Sequence, residues 1–200
     1  WVMSEHCDFS VKFWGVRGSI PSGSKDTAGV GGNTTCVEIR CGDELIIIDT
    51  GTGVRNLGMA LMKEMPVKGT ILFSHVHWDH IMGFPFFVPA YIPGNVIRIH
   101  GCHETMEEAL RKQQSDPCFP VHFDAMGAEI EFVKLDPGQT YNVGDVSVRP
   151  LLQPHHGDSY GYRFETDGKT AVYSTDGEHK LESLEETEDF VEFLRDADIV

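Results

Sequence analysis

The apolar run Ile71-Leu72-Phe73 leads through Ser74 into His75-Val76-His77-Trp78-Asp79-His80, and this junction constrains the chain more than any other stretch. Three imidazoles and a carboxylate within six residues are not buried idly, because each uncompensated polar group costs roughly 1–3 kcal/mol. An isolated histidine is ordinarily a satisfied core or surface residue. Four such groups so close together point instead to bound metal, and imidazole with carboxylate is the donor mix that suits zinc, manganese or iron. Alternate side chains of an extended segment share a face, so His75 and His77 should project together from a strand end. Asp79 and His80 then fall on the following turn and can face a second ion. The spacing predicts two divalent metal ions.

Strand and turn signals give the rest of the chain a mixed order. Val11–Trp14, Thr35–Arg40 and Glu44–Asp49 read as strands, the last two joined by a turn at Gly42-Asp43. A helix follows from about Val54 to Glu64, with Leu57, Leu61 and Met62 at helical spacing and Pro66 beyond its end. After the metal strand come a strand at Val96–His100, a helix from about Thr105 to Gln114, and strands at Ile130–Lys134, Val146–Leu152, Tyr160–Phe164 and Thr170–Ser174. This order suits a layered α/β domain. Two hundred residues, 40% apolar and with 12 Phe, are enough for one core, so residues 1–200 are expected to form a single domain.

Charge narrows the partners. Thirty-one acidic against sixteen basic residues leave a formal −15, which disfavours long nucleic acid and leaves no basic stripe to bind it. A small anionic substrate stays compatible, since divalent cations dominate the field inside a cleft. Part of the acidity is local: Glu178, Glu182, Glu185, Glu186, Glu188, Asp189, Glu192 and Asp196 surround Leu181, Leu184, Phe190 and Leu194, a solvated helix face around a buried stripe. No run approaches the roughly 18 apolar residues of a membrane span. Cys7, Cys36, Cys41, Cys102 and Cys118 form an odd set without a Cys-x-x-Cys pair, so buried thiols in a reducing cytoplasm are expected rather than a disulfide scaffold. Nothing in the chain addresses its oligomeric state.

His-x-His-x-Asp-His after a hydrophobic strand resembles the signature of the metallo-β-lactamase-fold hydrolases. Pro154-His155-His156-Gly157-Asp158-Ser159-Tyr160-Gly161-Tyr162-Arg163 is similar to the ribonuclease Z and phosphoribosyl cyclic phosphodiesterase branch, in which a metal histidine shortly precedes Gly-Tyr-Arg. By that register His155 is a ligand. Asp176 follows the strand Thr170–Ser174 where the family carries a bridging aspartate, and Asp49, closing Leu45–Ile48, matches the family's first motif. The resemblance implies a four-layer αββα sandwich with the metals at one edge. Family members supply a last histidine from a segment beyond the aspartate. Here the chain stops at Ala197-Asp198-Ile199-Val200, inside a new strand, and opens on Trp1, so a fragment lacking its C-terminal segment is expected. His179, the remaining histidine past Asp176, reads as an exposed loop residue.

The implied chemistry is a dinuclear phosphodiesterase. His75, His77 and His155 hold one ion, Asp79 and His80 a second, and Asp176 bridges them. A water shared by the two ions loses a proton and attacks the phosphodiester. Asp79 and His156 are the catalytic candidates, His156 as a donor to the leaving group. The rivals are an endoribonuclease of ribonuclease Z type, a lactonase, a thioester hydrolase and, from another class, a metal-binding or sensory domain without turnover. Gly15-Val16-Arg17-Gly18-Ser19-Ile20-Pro21 and Gly31-Gly32-Asn33-Thr34 are ordinary turn chemistry by composition. The resemblance makes them loops rimming the site, with Arg17 and Asn33 as substrate contacts. Gly51-Thr52-Gly53 lacks the spacing of a nucleotide loop and reads as a tight strand-to-helix turn. His100, His103 and His122 fall outside the motif and read as structural. The irregular stretch Ser115–Phe123 reads as a surface crossing whose aromatic side chains are ordinary packing or a roof to the cleft.

Overall fold

A computed structural model describes residues 9–179 and 184–200. Strands β1 (Phe9–Gly15), β2 (Cys36–Cys41), β3 (Glu44–Ile48), β4 (Lys68–Phe73), β5 (Val96–Gly101) and β6 (Glu129–Lys134) form a six-stranded sheet in that spatial order. From β3 to β6 each pair is parallel. Parallel neighbours need crossover connections, and α1 (Gly53–Leu61) lies between β3 and β4 as α3 (Met106–Gln113) does between β5 and β6. The continuous apolar runs Leu45–Ile48 and Ile71–Phe73 are buried along their whole length, as central parallel strands covered on both faces must be.

A second, four-stranded antiparallel sheet has the order β10-β9-β8-β7, from β7 (Tyr141–Val143), β8 (Val146–Gln153), β9 (Ser159–Thr166) and β10 (Lys169–Tyr173). The three-residue β7 is too short to show alternation and was not legible in the sequence. Where a strand was expected at the chain's end, Ile199 makes an isolated parallel bridge with Ala171 and no strand forms there among the described residues. The acid-rich segment forms α4 (Leu184–Leu194). Phe193, outside the expected stripe, is its fully buried residue, whereas Phe190 and Leu194 are half-buried. Cys7, Leu181, Glu182 and the side chains of Leu184, Glu185 and Glu186 lie outside the described residues.

Contacts divide the chain into two compact units, Val11–Ile39 with Leu45–Lys134, and Arg40–Glu44 with Leu135–Val200. In the first, alternate residues of successive strands (Leu45 and Ile47, Ile71 and Phe73, Ile97 and Ile99) meet Val54, Leu57 and Leu61 of α1 in one core. Phe123 joins that core, its ring 6.0 Å from Phe84 and 5.9 Å from Phe132. Part of the irregular 115–123 stretch is therefore ordinary packing. In the second unit, Val148 of β8 faces Phe164 of β9 across the ladder and Pro150 faces Tyr162. Arg163, of the Gly-Tyr-Arg motif, donates through Nη1 to the carbonyls of Phe193 and Arg195 at 2.9 and 2.8 Å. It satisfies orphan carbonyls at the end of α4, a structural use of that residue.

Cys36 and Cys102 are buried thiols and Cys118 is exposed. Cys41 is disulfide-bonded, which corrects the expectation of a thiol at that position. No helix among the described residues is long and apolar enough to cross a membrane.

Candidate metal centre

The parallel register of β3 on β4 pairs Ile48 with Leu72, so Asp49 leaves its strand level with Phe73, one residue before Ser74. Asp49 adopts the left-handed conformation (φ 58°), which Asp tolerates better than most residues, and this turn aims its carboxylate at the neighbouring strand end. One oxygen accepts the Ser74 N–H at 2.8 Å. The other accepts the Ser74 hydroxyl at 2.7 Å and His80 Nδ1 at 2.8 Å. Asp49 is 0% exposed. These bonds fix protons as well as positions. With Nδ1–H of His80 donated to Asp49, its Nε2 is the unprotonated nitrogen. Ser74 Oγ has given its proton to Asp49, so it accepts Nδ1–H of His75 at 3.1 Å, and Nε2 of His75 is likewise unprotonated and faces His77. An imidazole held from behind by a carboxylate or hydroxyl is how metal-ligating histidines are oriented.

His77 ends the extended segment as the N-cap of the single-turn helix α2 (Trp78–Ile81). His75 Nε2 and His77 Nδ1 are 3.0 Å apart, so the two imidazoles converge as their alternation predicts. The helix turn brings Asp79 Oδ2 to 3.6 Å from His80 Nε2. The rings of His75 and His80 are only 4.0 Å apart by centroid. The array is thus continuous, with His75 between His77 and His80, rather than two separated pairs.

Close backbone packing supports this turn. Thr50 N–H donates to His80 O at 2.7 Å and Gly83 N–H to Thr50 O at 2.8 Å. A Cβ at Gly83 would lie 2.1 Å from Gly51 O, and one at Gly51 would lie 2.4 Å from Asp79 O. Gly51 and Gly83 therefore permit a backbone approach that no side chain allows. Thr52 and Thr34 exchange amide-to-hydroxyl bonds at 2.8 and 2.9 Å, and the Thr52 hydroxyl donates to Asn33 Oδ1 at 3.1 Å. Asn33 has its side-chain oxygen engaged in holding the loops. Arg17 is exposed.

The other unit carries its own cluster. His155, in the β8–β9 loop, has Nδ1 2.8 Å from Glu178 Oε1 and Nε2 3.9 Å from Asp176 Oδ2. Glu178 is the orienting carboxylate for His155, and sequence reasoning missed it; its place two residues past Asp176 was the one available hint. Asp176 follows β10 with φ 54°, again left-handed. His156 is exposed. His179 corrects its expected exposure: it is half-buried, stacked on Phe190 at 3.9 Å, with both ring nitrogens buried and without hydrogen-bond partners among the described residues. His100, His103 and His122 take no part in either cluster. Burial holds the His100 pKa below the usual imidazole value, and His122 pairs with Asp116 at the surface at 3.3 Å.

Residues 45–200 match the model of the β-lactamase superfamily domain. A ribonuclease Z from Bradyrhizobium sp. (strain ORS 278) is 25% identical over 163 residues, covering 78% of this chain and 50% of that protein. The chain therefore spans about half the length of the curated relatives it matches. Among solved structures, the metallo-β-lactamase fold protein YhfI from Bacillus subtilis superposes with a TM-score of 0.68 at 18% identity, covering 94% of this chain and 68% of that one. The short form of human tRNase Z does so with a TM-score of 0.62 at 19% identity, covering 94% and 76%. Both likenesses are likenesses of fold.

Proposed function

The chain belongs to the β-lactamase superfamily, and on that premise we propose that it is a metal-dependent hydrolase of phosphodiester bonds, working as a single domain on a small or cyclic diester. The observation that carries this reading is the continuous His75–His77–Asp79–His80 array with the Asp49 carboxylate and Ser74 hydroxyl behind it. The buried part is made of imidazoles whose Nδ1 sides are tied to Asp49 and Ser74 and whose Nε2 sides turn toward Asp79 and His77, a donor set that fits divalent zinc, manganese or iron. In the first unit His75, His77, Asp79 and His80 would be metal ligands, and in the second His155 and Asp176 would be. Two such ions supply an acidified water and positive charge opposite the phosphoryl oxygens.

The protein's part is orientation and proton placement. Asp49 keeps the His80 proton on Nδ1, and Ser74 keeps that of His75 on Nδ1. Glu178 does the same for His155. Asp79, fixed through Oδ2 by the Ser19 N–H at 2.7 Å, faces the reacting group, and the exposed His156 donates a proton to the leaving oxygen.

An endoribonuclease is the second reading, supported by the relatives named ribonuclease Z. The formal −15 favours the small diester, because a long polyanion gains its affinity from many basic contacts. The test is turnover of bis(p-nitrophenyl) phosphate, cyclic nucleotides, a short RNA, a lactone and a thioester by protein reconstituted with zinc or manganese. Metal-dependent cleavage of diesters, lost in His77→Ala, is expected. Lactone or thioester turnover with inert diesters would overturn the bond class. Tight metal binding with no turnover would favour a sensory domain.

A further inference from the structure

The Ser19 N–H donates to Asp79 Oδ2 at 2.7 Å across 60 residues of sequence, tying the loop Gly15–Pro21 to the proposed metal turn. Ser19 holds φ 68°, a left-handed conformation that costs a non-glycine residue roughly 1–3 kcal/mol and persists where the surroundings over-determine it. The surroundings are visible. Val16 and Arg17 N–H both donate to Asn33 O at 3.1 and 3.0 Å. Arg17 bridges to Thr34, and a Cβ at Gly15 would lie 1.9 Å from Thr34 O. The backbone of this loop is clamped on both sides of Arg17, while the Arg17 side chain stands in solvent.

Arg17 makes no side-chain hydrogen bond or ion pair among the described residues. Two residues of chain span at most about 7 Å, so a long arginine side chain starting there has the reach to serve the surroundings of the Asp79 carboxylate. A guanidinium is permanently charged and offers a planar fork of donors matched to phosphate oxygens. In a chain of formal charge −15, a cation without an ion-pair partner among the described residues, two residues from the Ser19 N–H that binds Asp79, is available to a ligand's negative charge.

We propose that Arg17 is a phosphate-recognition residue, its guanidinium donating to a non-bridging oxygen of the substrate while the Ser19–Asp79 bond sets its distance from the metal centre. This rests on the metal-centre reading above and selects anionic phosphodiesters over neutral esters. The step is binding only and transfers no group.

The test is inorganic phosphate binding to the zinc-loaded protein by calorimetry, with zinc affinity measured in parallel. Arg17→Gln should weaken phosphate binding at least tenfold at unaltered zinc affinity, with partial recovery in Arg17→Lys. Arg55→Gln, which removes an equal charge from an exposed position of α1, should stay within twofold of the parent. Equal losses in Arg17→Gln and Arg55→Gln would overturn the proposal in favour of the general field. Undiminished phosphate binding, or loss of zinc, in Arg17→Gln would overturn it too. Arg17-dependent phosphate binding in a protein that cleaves only neutral esters would support the recognition residue and sink the phosphodiesterase reading.

Discussion

Asp49→Asn isolates what the buried carboxylate does for the metal centre. Asp49 accepts three hydrogen bonds at 2.7–2.8 Å, from the Ser74 amide, the Ser74 hydroxyl and His80 Nδ1. Removing all three by Asp49→Ala would strand three buried donors at roughly 1–3 kcal/mol each, enough to unfold a domain whose whole stability is about 5–15 kcal/mol. Asparagine has the same shape and keeps one acceptor for the Ser74 amide. Its NH2 group, however, meets the Ser74 hydroxyl and the His80 ring as donor against donor. Relief comes if His80 shifts its proton to Nε2, which leaves Nδ1 to accept and blocks Nε2 as a ligand. The stability loss should be about 1–3 kcal/mol, a fall in Tm of roughly 2–12 °C at 2–4 °C per kcal/mol. Loss of an orienting partner of this kind weakens metal binding about 10–100-fold. Differential scanning calorimetry of the metal-free protein and zinc titration of the same sample separate the two effects. A variant that melts lower yet binds zinc as tightly as the parent would refute the tautomer argument and leave Asp49 a purely structural residue.

Other perturbations give distinct outcomes. His77→Ala should abolish zinc binding at the three-histidine site together with hydrolysis, whereas His103→Ala should alter neither; equal losses, read by metal analysis and turnover, would mean that these histidines act through general stability. Gly83→Ala places a methyl 2.1 Å from Gly51 O, and since backbone cannot yield as a side chain does, thermal denaturation should show a loss of about 1–3 kcal/mol or more, against near-neutrality for Gly29→Ala, where a Cβ meets open space and φ is not positive. For His100, burial lowers the folded pKa below the ordinary imidazole value of about 6.5. Between that lowered value and 6.5 the unfolded chain binds more protons, so stability rises with pH across the window and is lost on acidification through it. Urea midpoints at pH 5 and pH 7.5 should lie closer together in His100→Gln than in the parent, and an unchanged gap would assign the acid sensitivity elsewhere.

The ligand candidates of the first unit and most secondary-structure elements were legible because their signals are local. His75, His77, Asp79 and His80 are set by covalent spacing at a strand end, and the buried runs Leu45–Ile48 and Ile71–Phe73 announce parallel strands by their unbroken apolarity. What was missed lay in partners distant along the chain. Residue type made Arg17 and Asn33 equal candidates, yet Asn33 is occupied by Thr52 while the Arg17 side chain stands in solvent. For Glu178 the one hint that it holds His155 was its place two residues past Asp176, and nothing about His179 foretold its stacking on Phe190.

By itself, then, the sequence determined the candidate ligand residues, the mixed α/β character and the family signature, because alternation, spacing and hydrophobic runs are properties of neighbouring residues. Tertiary structure decided which nitrogen of each imidazole keeps its proton, which loop carries strain and which arginine stays unpaired. Those outcomes depend on hydrogen bonds such as Ser74 to Asp49 and Ser19 to Asp79, spanning 25 and 60 residues, and they come into being only when the β3–β4 register and the glycine contacts beneath the metal turn bring the partners within reach.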